Sequence, residues 1–224
     1  MTPAIDSAGE GNIVAGTVAS AVVGGTASEL GGGKFANGAA TAAFQFLFNQ
    51  AATSVQREQQ KLADFAKLKA SLSVRTFQTA QRAAEGFCDL GGCGFTLRFG
   101  VEVGANIQEL GKGSFRLVDF VLGDEGSVIM PPADPNPRAP RTVANVHTHP
   151  STSGPGFSGG VIRQFGIKPD RYDGDIEINY SRNLDGYVFR VPQGDAWHFN
   201  QTAFRNASTK NGEVHSGKFL RKFR

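Results

Sequence analysis

Thr142-Val143-Ala144-Asn145-Val146-His147-Thr148-His149-Pro150 is the stretch on which the reading of this chain turns. Its β-branched, apolar opening predicts a strand over 142–146 that runs straight into His147. Side chains alternate between the faces of a strand, so His147 and His149, two residues apart, leave the same face and aim at a common point. Pro150 has a fixed φ and no N–H to donate; it ends the strand and leaves that face open. Two imidazoles so placed suit a metal ion in principle, although a His-x-His pair by itself also reads as two ordinary polar strand residues. A catalytic zinc asks for three protein ligands and a water, with a carboxylate nearby for acid–base work, so the remaining groups must come from elsewhere in the chain.

Upstream, Phe95-Thr96-Leu97-Arg98-Phe99 alternates apolar with polar, 101–107 continues at period two, and 115–122 is a β-branched and aromatic run. These predict three strands of a meander. The proline-rich 131–140 predicts an extended surface loop. Downstream, 151–156 must be a loop, and 161–165 is long enough only for a helical turn or a short strand. Segments 186–191 and 196–199, joined by Pro192-Gln193-Gly194-Asp195, predict a hairpin in which Trp197 packs in the core or at an edge. The basic tail 205–224 is expected to be a solvated cap.

The N-terminal part has a different texture. An excess of glycine, 29 in the whole chain against ~7% average usage, has to be placed before the fold is read. Glycine costs ~1 kcal/mol per helix-interior position, so residues 1–53 read as a Gly/Ala-rich linker with no stable element before about Asn37, though 39–48 can dock as a short helix. In 54–86, Leu62, Phe65, Leu68 and Leu72 recur at spacings of three and four, which predicts one long or two short amphipathic helices, stopped by Gly86 and the Gly91-Gly92 pair. The fold class expected is α+β: a helical N-terminal segment followed by a mixed or antiparallel sheet domain over 87–224.

Hydrophobic residues at 40% and charged residues at 19% are ordinary for a globular protein, and a net charge of +3 is too weak to argue for nucleic acid. There is no run of ~18 uninterrupted apolar residues and no signal-peptide pattern, so neither a membrane span nor self-export is expected. Cys88 and Cys93 flank Asp-Leu-Gly-Gly and form either a small disulfide loop or two free, partly buried thiols; two thiols are too few for a structural zinc knuckle.

Two resemblances follow from these residues. The string Gly24 to Ala39, Gly-Gly-Thr-Ala-Ser-Glu-Leu-Gly-Gly-Gly-Lys-Phe-Ala-Asn-Gly-Ala, with Ala42-Ala43-Phe44 and Leu47-Phe48-Asn49 after it, resembles the segment that precedes the variable C-terminal toxin in Rhs-type and haemagglutinin-type polymorphic toxins. That implies a larger secreted parent polypeptide, delivery into a target cell and a cognate immunity protein. A strand-borne His-x-His-Pro, then a serine and an aspartate, with a glutamate on an earlier strand, is similar to the JAB/MPN (JAMM) metallopeptidases over roughly 95–199. The likeness implies a JAB/MPN-like toxin domain in which His147, His149 and an aspartate hold zinc, Glu102 activates the water and Ser158 stabilises the oxyanion.

The aspartate departs from that pattern, because the family's place for it, three residues after the serine, is Val161 here. An insertion over 161–172 would move the ligand to Asp173 or Asp175; Asp175 is preferred, since Ile176 after it would face the core as the carboxylate turns outward. The function implied is zinc-dependent hydrolysis of a peptide or isopeptide bond in a target-cell protein. Its rivals are a nuclease toxin, with nucleic acid as partner, and a non-catalytic JAB-like binding module. Taken alone, Glu102 is a solvent-face strand residue, Ser158 a loop serine, and Asp173 and Asp175 turn caps; His198 and His215 read as structural or exposed.

Overall fold

The computed structural model describes residues 13–132, 134, 136, 138–150, 179, 182–200 and 218–222. By its contacts the chain falls into two compact units, Met1–Ala63 and Asp64–Arg224.

The first unit holds helix α1, Ile13–Leu30, and the greater part of α2, Phe35–Ser73. The expectation that no stable element forms before about Asn37 is therefore corrected. Glycine weakens an isolated helix, but here it lets two backbones approach. A Cβ added to Gly24 would lie 2.3 Å from the Cβ of Ala42 and 2.6 Å from the carbonyl oxygen of Gly38. The Glu29 carboxylate accepts from the Phe35 N–H at 3.1 Å and so caps the start of α2.

Of the predicted helical face, Leu62 is 52% exposed, and the part in the second unit, from Phe65 on, packs. Leu68 and Leu72, on the last turns of α2, are buried, and the Phe65 ring meets Phe95 edge-on at 6.0 Å. Strand β1, Thr76–Phe77, follows; then the Thr79 hydroxyl accepts from the Arg82 N–H and starts α3, Ala80–Phe87. Gly86 lies inside α3, but the Gly91-Gly92 pair interrupts the helix as expected: Gly91, at φ 138° and ψ −19°, leaves helical geometry and kinks the chain before α4, Cys93–Phe99. Across that kink Cys88 and Cys93 are joined in a disulfide with their Cα atoms 4.6 Å apart.

Helix α4 overturns the strand expected at 95–99. Five alternating residues also fit a helix: Phe95 and Phe99, at i and i+4, touch with ring centroids 4.7 Å apart, Leu97 is exposed, and the left-handed Gly100 ends the turn.

The remaining strands are β2 (Val103–Gly111), β3 (Ser114–Leu122), β4 (Arg141–His149), β5 (Asp185–Arg190), β6 (Asp195–Phe199) and β7 (Lys218–Lys222). With β1 they form, among the described residues, a seven-stranded sheet in the order β1-β3-β2-β4-β5-β6-β7. Every neighbouring pair is antiparallel except β4 and β5, which run parallel, so the fold is α+β with a mixed sheet. Lys112 and Gly113, both at positive φ, make the two-residue turn that joins β2 to β3. The β5–β6 hairpin falls where predicted, with Trp197 half-buried opposite Val188. The tail is more than a cap, because β7 pairs with β6 at the sheet edge. Phe87, Ile107, Leu117, Val146 and Phe189 are fully buried in one core between the short helices and the sheet.

Candidate metal centre

Both histidines stand at the C-terminal end of β4, with β2 on one side and β5 on the other. His147 pairs in register with Gly104 and Val188. A Cβ on Gly104 would come within 3.0 Å of the Val146 carbonyl oxygen, 3.2 Å of the His147 Cβ and 2.6 Å of the Met130 sulfur, so this opposing position has no room for a side chain.

The period of two that predicted convergence does produce it. The Nε2 atoms of His147 and His149 are 3.0 Å apart, and their rings are tilted at 48° with centroids 4.8 Å apart. Two nitrogens bound at ~2.0–2.1 Å to one tetrahedral zinc lie ~3.3 Å apart, close to the observed spacing.

Glu102 completes the group. It sits one residue before β2, where its N–H donates to the Asp124 carbonyl at 2.7 Å and its own carbonyl accepts from Gly123 at 2.9 Å. Asp124 is fixed in turn: its carboxylate accepts from the Gly126 and Ser127 N–H groups, which hold its pKa below the usual carboxylate range. Glu102 Oε1 then lies 3.7 Å from His149 Nε2, and one ligand atom from each of Glu102, His147 and His149 falls within 4.8 Å of the others. Glu102 and His147 are buried, while His149 is 14% exposed and forms the side open to solvent. These three residues make a buried group able to hold a metal ion.

Thr148, the residue between the histidines, faces the other way and holds the site together. Its hydroxyl is 2.5 Å from that of Thr96 on α4 and accepts from the Val103 N–H at 3.1 Å. One buried hydroxyl thus ties the end of β4 to the start of β2, next to Glu102. Thr96 and Gly104 carry no signal in the sequence, whereas a β-branched hydroxyl in the middle of His-x-His, as at Thr148, must point into the protein when the histidines point out.

Ser158, Val161, Asp173, Asp175 and His215 lie outside the described residues. His198 has partners: its ring stacks on Tyr187 at 4.5 Å, and its Nε2 is 3.3 Å from the Asp185 carboxylate. Burial, the Asp185 charge and the Glu85 charge push the Tyr187 phenol well above its ordinary pKa. On the segment that returns towards β5, Asn179 is buried and its side-chain oxygen accepts from the Asn145 amide. The chain matches no protein-family profile, no curated protein and no solved structure.

Proposed function

We propose that this chain is the C-terminal toxin region of a secreted polymorphic toxin, with a JAB/MPN-like domain that hydrolyses a peptide or isopeptide bond in a target-cell protein with the help of zinc. The observation that carries the reading is the convergence of Glu102, His147 and His149 at a strand end, two of them buried. Two imidazole nitrogens are donors that suit zinc, and a carboxylate beside them suits the acid–base work of a zinc-bound site. Zinc, when bound, supplies Lewis acidity and a water acidic enough to ionise near neutral pH.

His147 and His149 hold the ion, each through Nε2. Glu102, 3.7 Å from His149, is the base: its carboxylate takes a proton from the attacking water and passes it to the leaving amine. Asp175 is the third ligand in this reading. Asn179 is fastened to Asn145, two residues before His147 on β4, and the four residues back to Asp175 span up to ~13 Å, enough to reach the histidines. Ser158 donates to the oxyanion. The Cys88–Cys93 disulfide fits a protein that passes through an oxidising compartment, as a secreted effector would. The parent polypeptide and a cognate immunity protein are the partners this reading implies.

The test is metal content and hydrolysis measured together. Wild type should bind one zinc, and the His147→Ala, His149→Ala double variant none. Glu102→Gln should keep the metal and lose hydrolysis; if it loses the metal, Glu102 is a ligand and not the base. Zinc retained by Asp175→Ala, with no hydrolysis by wild type, would leave a metal-holding binding module, and absence of stoichiometric metal in wild type would end the proposal.

A further inference from the structure

The helical hairpin of the first unit is inside-out for a protein surrounded by water. On α1 the buried positions are Gly16, Ser20 and Gly25, while Ile13, Val14, Val18, Val22 and Val23 are between 43% and 72% exposed. On α2 the exposed side includes Phe35, Phe44, Leu47 and Phe48. An amphipathic helix in water turns its large apolar side chains towards its partner. In hydrocarbon that drive is absent, and small residues face each other so that the backbones pack closely, as Gly24 and Gly38 do.

Three further features agree. Threonine hydroxyls on the hairpin are satisfied within their own helix: Thr17 donates to the Ile13 carbonyl at 2.7 Å, Thr26 to Val22 at 2.9 Å and Thr41 to Asn37 at 2.9 Å. From Ile13 to Gln56 the only charged residues are Glu29 and Lys34, both at the turn between the helices, and charge resumes at Arg57 and Glu58. An uncharged band is thus bounded by charge at each end. Its length also fits, since the 18 residues of α1 rise ~27 Å, against a hydrocarbon thickness of ~30 Å. By length and composition α1 qualifies as a membrane-crossing helix. The rule of an uninterrupted apolar run missed it because glycine, serine and threonine interrupt the run at the positions that face the partner helix or bond to their own backbone.

We infer that the α1–α2 hairpin inserts its outer apolar face into the hydrocarbon of a lipid bilayer. The inference is independent of the metal centre. It is tested by floating the purified full chain with phosphatidylcholine vesicles on a density gradient at high salt, which removes electrostatic adsorption. Wild type and Thr17→Val should float with the vesicles. The Val18→Glu, Val22→Glu double variant should lose partitioning by at least ~100-fold, with Trp197 emission unchanged as evidence that the second unit remains folded. Wild type left at the bottom, or a double variant that still floats, overturns the inference. So does a soluble wild-type dimer that the same two substitutions dissociate, which would assign the face to a second copy of the chain.

Discussion

Replacing Thr148 with valine keeps the shape of the side chain and removes one hydroxyl, which makes it a sharp probe of how the metal centre is held. In the native protein Thr96 and Thr148 are essentially inaccessible, at 1% and 0% exposure, and the Thr148 oxygen bonds both the Thr96 hydroxyl and the Val103 N–H. The variant takes that partner from two buried polar groups, the Thr96 hydroxyl and the Val103 N–H. Each such loss costs ~1–3 kcal/mol, so Thr148→Val should lower the stability of the second unit by about 2–4 kcal/mol. For a domain of this size that is roughly 5–15 °C in Tm. Urea unfolding followed by the fluorescence of Trp197, the chain's one tryptophan, reads the correct unit. Adding Thr96→Val removes the second hydroxyl of the pair, so the double variant should be more stable than the sum of the single losses predicts, by about 1 kcal/mol. A Thr148→Val loss under ~0.5 kcal/mol, or strict additivity, would refute the claim that this hydroxyl clamps β4 to β2.

Further outcomes are expected. Gly104→Ala should cost about 1–3 kcal/mol through the contacts its Cβ would make with Met130 and the Val146 carbonyl, and should weaken metal binding in calorimetry. Cys88→Ser with Cys93→Ser opens a loop of sequence separation 5 and should lower stability by about 2 kcal/mol in denaturant titration, an effect that reductant reproduces in wild type and not in the variant. Tyr187, whose pKa is raised by burial first and by neighbouring carboxylates second, favours its neutral form in the folded state. Its contribution to stability is therefore present below the ordinary value of 10.0 and is lost as pH rises above it, and Tyr187→Phe should flatten alkaline unfolding monitored by circular dichroism.

The parts of the fold that could be read from sequence are those in which one period dominates a long segment. The strand into His147, the β5–β6 hairpin and the Phe65-to-Leu72 helical face are of this kind, and the histidine pair followed from strand geometry alone. Residues 95–99 were misread because five residues are too few to separate a period of two from one of 3.6, and the contact that decides, Phe95 with Phe99, is available only in the helix. The first helix was missed for a different reason. Helix propensity counts glycine as a loss, whereas the gain that outweighs it, close approach to Gly38 and Ala42, belongs to the partner helix and is invisible in a local window. Glu102 could be nominated by resemblance, but its position depends on Asp124 and on the Thr148 clamp, which are tertiary contacts.

The parallel pairing of β4 with β5 bears on the order in which the molecule assembles. Strand β4 joins the β1-β3-β2 half, and β5 begins the β5-β6-β7 half, so the seam between them is a parallel junction, which no hairpin turn can close. The chain must leave β4 at the histidine end and re-enter at the opposite end through residues 150–184, a closure that carries more loop entropy than the β2–β3 or β5–β6 hairpin. The two halves are then expected to form first and dock late. Because His147 and His149 stand on that seam, the metal centre would be among the last features of the native state to become complete.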